Sequence, residues 1–591
     1  MPANGPEPPG SRRAAWTVLS VDPYLATREI CYLATTVQSE TAITAEEMAL
    51  PWQSGAALHS DETAEELSPS MMKPIQRGRG VTESERYLAR VADATFLKLW
   101  SYPNTYIDRK KRAGETGKEL CDLLVVCGDE VIIFSDKSIT WPQSDNTDLN
   151  WSRWYRRAVK ASVDQIRGAE RWLREFPDRV FLDPACDQKL PVTLPPLPQR
   201  KVHRIAIALG AQSACAQFFD DEDGSLLIYP ALKGDNHTDK SARVYSPFAI
   251  GDVDPDGPFV HVFDKTALDL IMREMDTVTD FVRYLDERRQ FIRDQRLALA
   301  SNEGGLLAIF MQTVAKDSHY HCFPKPEDLG ADSPCSIVVP PGLYEDFIAS
   351  ASYQTKKIND QVSYIWDRLI ETFVDNILDG TSVRVLGGEL SAQDAEPALR
   401  IMAREPRFVR RMLGESVYGA LEKAERIRED RFIRVMMPNE LFFDQGTAYL
   451  IMILAYPENF ELGGGYQQYR EARVRMLEAY CYSLLYDNRN LKCVVGIALD
   501  ASSKVTKRRG GSEDLMVIQV DVWDTELERS VREARALFDV LRPERIQGSY
   551  SKLTEYPQPA PPFQNRQQRR AAERERKKLL RKAPVHGPKR K

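Results

Sequence analysis

Apolar positions along the chain alternate between the spacing of helices and the continuous runs of buried strands. From Leu88 to Phe96 the apolar residues lie three or four positions apart, and a Thr-Glu-Ser-Glu capping box precedes them at residues 82–85. This pattern predicts a helix that ends near Trp100. Downstream, a second long helix is predicted from Trp151 to Glu175.

Between these helices, two apolar runs rich in β-branched residues flank the dipeptide Gly128-Asp129, which is a strong signal for a two-residue turn. The pattern predicts a β-hairpin in which Asp122 lies opposite Ser135. Because cross-strand partners share a face with residues two positions away, Asp122, Ser135 and Lys137 are expected to project together.

Over the whole chain, the pattern predicts an α/β fold. A first unit is expected at 81–300 and a second α/β domain at 431–556. A weakly ordered segment is expected at 1–80 and a mostly helical connecting region at 301–430. The second unit is predicted from four apolar strands and two helices. The strands are expected at Arg431–Met437, Thr447–Leu454, Lys492–Leu499 and Leu515–Val522.

Composition favours a cytoplasmic protein. The chain of 591 residues has no apolar run long enough to span a membrane, and its first residues are rich in Pro and Gly and lack the apolar core of a signal peptide. The nine cysteines include no CxxC pair, which favours buried thiols over a zinc ribbon or a disulfide framework. Neither membrane insertion nor export is therefore expected.

Charge is distributed unevenly. The last 29 residues, from Phe563, carry 12 Lys/Arg and two Glu, so that the rest of the chain has 80 − 12 = 68 basic against 86 − 2 = 84 acidic residues. A Pro-rich spacer precedes this tail, and 557–591 is predicted as a spacer with a basic helical tail. Arg569, Arg570 and Lys577 are the tail residues selected as candidate phosphate contacts; the alternative is a solubilising tail.

Four features in order carry a resemblance to a known family: an acidic helix with Glu85, Asp122 at a strand end, Ser135-Asp136-Lys137 ending the next strand, and a helix that bears Gln165. Over roughly residues 81–172 the chain thereby resembles the PD-(D/E)XK nuclease superfamily. The resemblance implies a restriction-endonuclease-like mixed sheet flanked by helices, and Mg²⁺- or Mn²⁺-dependent phosphodiester hydrolysis.

The resemblance also implies roles for these residues. Asp122 becomes the principal metal ligand and Lys137 the residue that orients or deprotonates the attacking water, whereas Glu85 completes the network and Gln165 positions substrate or a catalytic side chain. One position departs from the family, because Ser135 stands where the family has an acid two residues before the lysine. A shifted register brings Asp136 opposite Asp122, or Glu119 supplies the carboxylate, or the site is degenerate.

The helix after the hairpin offers a candidate contact for nucleic acid. Trp151, Trp154 and Tyr155 would be available for stacking on bases; the alternative is a solvated basic face above a core of aromatic residues. Its candidate phosphate contacts are Arg153, Arg156, Arg157 and Lys160.

Together with the resemblance, these observations predict a metal-dependent nuclease for which DNA is the expected substrate and RNA the alternative. The alternative hypothesis is a catalytically degenerate nuclease fold that binds nucleic acid or a protein. In either case the second α/β domain is a candidate surface for a protein partner.

Overall fold

The computed structural model describes residues 13–21, 73–109, 115–315, 320–325, 337–380, 392–427, 431–454, 465–501, 513–538, 540 and 546–556. The first half contains, in chain order, β1 (Arg13–Val21), α1 (Glu83–Phe96), β2 (Ser101–Ile107), β3 (Lys118–Cys127), β4 (Glu130–Ser138), α2 (Thr147–Tyr155), a π-turn (Arg156–Lys160), α3 (Ala161–Glu175), β5 (Lys201–Leu209), α4 (Gln212–Phe219), β6 (Leu227–Lys233), β7 (Ala249–Asp252), β8 (His261–Phe263), α5 (Lys265–Glu274), α6 (Val278–Arg293) and β9 (Leu297–Ala300).

The second half contains α7 (Glu303–Gln312), β10 (Ile337–Val339), α8 (Leu343–Ala349), α9 (Ala351–Asn359), α10 (Tyr364–Leu378), α11 (Ala392–Ala403), α12 (Arg407–Ile427), β11 (Arg431–Met436), β12 (Thr447–Leu454), α13 (Gly465–Asp487), β13 (Cys493–Asp500), β14 (Glu513–Gln519), α14 (Thr525–Phe538) and β15 (Ile546–Thr554). The predicted α/β class is confirmed.

The first sheet has the order β2-β3-β4-β5-β8, with antiparallel pairing up to β4 and parallel pairing from β4 to β8. Successive residues of β4 point to opposite faces. Ile132 and Phe134 pack with α1, α5 and α6, whereas Val131 and Ile133 pack with α2 and α3. Helices therefore cover both faces, which explains why β3 and β4 are almost continuously apolar.

A second sheet has the order β10-β9-β6-β7. Two helices, α5 and α6, precede β9, which lies at the end of the first predicted unit. β10 comes from the region that was predicted to be mostly helical, and it pairs with β9. The boundary expected at residue 300 therefore runs through this sheet.

The third sheet has the order β14-β13-β12-β11-β1-β15 and contains the four strands predicted for the second unit. It also contains β1, which lies in the segment 1–80 that was expected to be weakly ordered. β1 pairs antiparallel with β15 over nine residues, from Arg13 opposite Thr554 to Val21 opposite Ile546. Strands from both ends of the chain thus complete one sheet.

One apolar cluster connects the first and third sheets. It includes Phe134 of β4, Trp366 of α10 and Ile451 of β12, which are all buried. Buried ion pairs reinforce the same region, since Arg407 and Arg410 of α12 both bind Asp367 of α10. Among the described helices, none has the length and apolar composition that a bilayer crossing requires.

A candidate carboxylate site at one end of the first sheet

The predicted hairpin of β3 and β4 is confirmed. Cys127 pairs with Glu130 across the two-residue loop Gly128-Asp129, and the register continues without a shift to Leu123 opposite Phe134. Gly128 has φ +65°, which a tight hairpin turn of this kind requires. The shifted register that would have brought Asp136 opposite Asp122 is therefore wrong for this pair of strands.

The two strands separate beyond Leu123. The ladder ends there, and the amide of Asp136 donates instead to Oδ2 of Asp122 at 2.6 Å. Lys137 Nζ lies 3.7 Å from the same oxygen. Asp122 is only 4% exposed, so its carboxylate is held between the separated strands by one backbone amide and one ammonium group.

Electrostatics at Asp122 favour a cation. Burial raises the pKa of Asp122, and Glu85 raises it further, whereas Lys137 and the amide of Asp136 oppose the shift without cancelling it. A buried carboxylate whose charge is incompletely compensated gains free energy when a cation binds beside it.

Asp136 is the least satisfied group in the cluster. Strand alternation places it with Phe134, on the face that α1 covers, and its side chain is 7% exposed. Neither carboxylate oxygen accepts a hydrogen bond of normal geometry from a described residue, although the Ser84 hydroxyl interacts with the carboxylate. Burial, together with Asp122 and Glu85, raises the pKa of Asp136 to about 6, while Ser84 and Lys137 oppose the shift.

Asn104 joins the two remaining acids. Its side-chain amide donates to Oε2 of Glu85 and to Oε1 of Glu119, in both cases at 2.8 Å. Asn104 lies on β2 with φ +50°, next to an irregularity in the β2–β3 pairing between Thr105 and Tyr106. The register shift therefore occurs between β2 and β3, whereas the shift considered from the sequence was between β3 and β4. It lies next to Asn104, which places Glu119 near Glu85.

Glu85 and Glu119 respond differently to this arrangement. Burial opposes ionisation of Glu85, but hydrogen bonds from Asn104 and from the amide of Val81 lower its pKa. Burial and the nearby Asp122 and Glu85 raise the pKa of Glu119, despite the hydrogen bond from Asn104. The predicted cap is confirmed as well, because the amide of Glu85 donates to Thr82 Oγ1 at 3.2 Å.

Gln165 enters the site through Ser135. Its Oε1 accepts a hydrogen bond from Ser135 Oγ at 3.0 Å, and Ser135 is fully buried. Ser135, which stands two residues before Lys137, is therefore a structural partner of α3. Direct contacts connect the selected residues in three groups at this end of the sheet. Asp122 contacts Lys137 and the amide of Asp136, Asn104 joins Glu85 to Glu119, and Gln165 contacts Ser135.

The helix after the hairpin has the exposed basic face and the aromatic core that were given as the alternative. Its four selected cations are exposed, but Trp151, Trp154 and Tyr155 are at most 5% exposed. Base stacking by these aromatic side chains is therefore wrong, because they form the core beneath the helix. The helix is also interrupted, since residues 156–160 form a π-turn. The tail candidates Arg569, Arg570 and Lys577 lie outside the described residues.

Sequence reasoning missed Asn104. The structure places it within β2, beyond the helix that was predicted to end near Trp100. Within the described ranges, no group of three or more His, Cys, Asp or Glu side chains is arranged so that it could hold a metal ion. The acids of the cluster are oxygen ligands of the kind that hard cations such as Mg²⁺ prefer, but they form no complete cage among the described residues.

Comparison with known proteins adds no assignment. No family model matches the chain, and neither the curated proteins nor the solved structures include a match. Function is therefore inferred from the site itself.

Proposed function

We propose that this protein is a metal-dependent nuclease that hydrolyses phosphodiester bonds, with DNA preferred to RNA. The observation that carries the proposal is the pair of buried carboxylates, Asp122 and Asp136, at the point where β3 and β4 separate, with Lys137 3.7 Å from Asp122. Few structural roles explain an acid that is 7% exposed and whose oxygens accept no hydrogen bond of normal geometry from a described residue.

The ligand set fits a hard divalent cation. Mg²⁺ is commonly held by one or two carboxylates, with water and substrate phosphate completing the shell. Asp122 and Asp136 would hold it, and Glu119 is the next carboxylate along β3. When bound, such an ion supplies positive charge for the phosphoryl oxygens and lowers the pKa of a bound water.

The chain's own residues define the surroundings of the reaction. Lys137 brings its ammonium group to the side of Asp122 and can orient a water or stabilise developing negative charge. Gln165 holds Ser135 and thereby fixes the end of β4 from which Lys137 projects. Asn104 holds Glu85 and Glu119 together at the edge of the same cluster.

Topology supports a restriction-endonuclease-like fold for the first unit. The order helix, three strands, helix, strand is met by α1, β2, β3, β4, α2–α3 and β5, and the sheet is mixed. The proposed catalytic side chains lie on α1, β3, β4 and α3 of this unit. Fold alone does not define an activity, so the proposal depends on the side chains.

A second candidate function is a degenerate nuclease fold that binds nucleic acid without cleaving it. Two observations favour it. Ser135 occupies the position of the family's acid and is bound by Gln165. In addition, no three-ligand set is present in the described part of the chain.

Nicking of supercoiled plasmid separates the two functions. We expect the wild-type chain to nick plasmid in Mg²⁺ or Mn²⁺ and to stop when chelator is added. Lys137→Ala should lower the rate by about 100-fold, since it removes a positioned charge or proton-transfer group. Lys189→Ala, which changes an exposed lysine far along the chain, is the matched control and should retain full activity. Equal rates in the two variants would contradict the proposed role of Lys137.

A further inference from the structure

Seven exposed cations form a single stripe along α2, the π-turn and α3. The stripe is called the basic ridge, and it consists of Arg153, Arg156, Arg157, Lys160, Arg167, Arg171 and Arg174. Neighbouring members lie one to four residues apart, except that seven residues separate Lys160 from Arg167, and the exposed Asp164 lies between them, 3.7 Å from Arg167. The intervening apolar residues are buried against the sheet, which leaves the cations on the outward face. The ridge is strongly basic although the whole chain carries a net charge of −6.

Most of these cations form no salt bridge with a described residue. Lys160 lies 3.5 Å from Asp235, and Arg167 binds Asp254 at 2.6 Å. Among the described residues, the other five have no salt bridge. Exposed guanidinium groups in a row repel one another, and an anionic partner that binds along the row relieves this repulsion.

The ridge starts at the end of the sheet that holds the carboxylate cluster. Trp154 Nε1 donates to the carbonyl of Leu209 at 3.2 Å, and Leu209 pairs with Ser138, the residue after Lys137. From Arg153 to Arg174 the helical axis rises by about 32 Å, close to one turn of a DNA duplex at roughly 34 Å.

The aromatic residues of the same segment cannot read bases. Trp151 is fully buried, and its Nε1 donates to the carbonyl of His237 at 2.8 Å. Trp154 is likewise fully buried and is stacked on Trp151, with ring centroids 5.3 Å apart. The ridge therefore offers charge without a stacking surface, whereas proteins that bind single strands combine both.

We propose that the basic ridge binds the phosphate backbone of duplex DNA and directs one end of the duplex to the carboxylate cluster. This inference rests on the proposed nuclease function and adds its substrate class. A duplex presents one charge per 1.7 Å of axis and remains straight over the length of the ridge. It therefore matches an extended row of cations without a stacking surface better than a single strand does, whose binding depends on stacking.

Equilibrium binding in chelator, measured by fluorescence anisotropy on the full chain carrying Asp122→Asn, tests the ridge without cleavage. The probes are a labelled duplex of about two helical turns and one of its strands. We expect the duplex to bind about tenfold more tightly than the strand. In the same background, Arg156→Gln/Arg157→Gln should reduce the slope of log K against log salt by about two, because each lost phosphate contact contributes roughly 0.9.

The matched control is Arg529→Gln/Arg532→Gln, which removes two exposed arginines from α14 and should leave the slope unchanged. Circular dichroism of each variant verifies that it folds. An unchanged slope in the ridge variant, or a strand that binds as tightly as the duplex, would overturn the inference. So would binding to phosphatidylserine vesicles without binding to duplex. If the wild-type chain binds duplex tightly but never cleaves it, the proposed nuclease function is refuted, whereas the proposed duplex binding by the basic ridge is supported.

Discussion

Asp122→Asn is expected to lower metal-dependent cleavage by about three orders of magnitude, the loss typical when a preorganised charge at a reacting centre is removed. The substitution preserves the shape of the side chain and one oxygen able to accept the amide of Asp136, which lies 2.6 Å from the carboxylate. It removes the negative charge that faces Lys137 and that would hold a divalent cation. Folding should therefore survive while catalysis fails.

Initial rates of plasmid nicking at saturating Mg²⁺ measure this effect. Asp145→Asn is the matched control, because Asp145 is exposed in the loop that follows β4. A melting temperature equal to that of the wild type confirms that the Asp122 variant is folded. Cleavage by Asp122→Asn within a few-fold of the control would show that the cluster is not the catalytic centre.

The second large effect is on stability. The pKa of Asp136 is raised from 3.8 to about 6 by burial and by nearby carboxylates. The folded protein thus binds the proton of Asp136 more tightly than the unfolded chain does, so stability falls as pH rises from about 4 to above 6. A shift of this size corresponds to about 3 kcal/mol at neutral pH.

Asp136→Asn removes this titration. Relative to the wild type, the variant should gain about 3 kcal/mol of unfolding free energy between roughly pH 4 and pH 7, whatever constant difference in packing it carries. Chemical denaturation in chelator across that range measures the gain, with Asp145→Asn as control. A difference between variant and wild type that stays constant with pH would contradict the buried, charged state of Asp136.

Local signals were enough to predict the hairpin. Alternation in the two runs and the dipeptide Gly128-Asp129 determine which residues face each other, and the observed pairing of Cys127 with Glu130 follows from them. The meeting of Asp122 with Lys137 depends on the same register. Such features need only residues close in sequence.

Other features of the site depend on tertiary contacts. The separation of β3 from β4 at Asp122 has no local signature, because each strand still reads as continuous. Asn104 joins Glu85 to Glu119 through contacts that span 19 and 15 residues. Neither the polar contact nor its left-handed backbone is indicated by the Tyr-Pro-Asn sequence.

Distance along the chain also explains why the pairing of the N-terminal strand could not be predicted from the sequence. Arg13–Val21 is a short run whose partner, β15, lies more than five hundred residues away, so no nearby pattern predicts the pairing. The π-turn at residues 156–160 is similar, since a helical pattern with one extra residue still reads as a helix. The sequence left open whether Trp151 and Trp154 stack on bases or form a core. Their burial in the folded protein shows that they belong to the core.

Binding of Mn²⁺ to the intact chain tests most directly whether the carboxylate cluster is a metal site. Electron paramagnetic resonance counts free and bound Mn²⁺ at neutral pH, for the wild type and for Asp122→Asn/Asp136→Asn. We predict that the wild type binds at least one ion per chain and that the double variant binds it at least about tenfold more weakly, as expected when two hard oxygen ligands are lost. A wild type that binds no Mn²⁺, or a double variant that binds it equally well, would contradict the metal site.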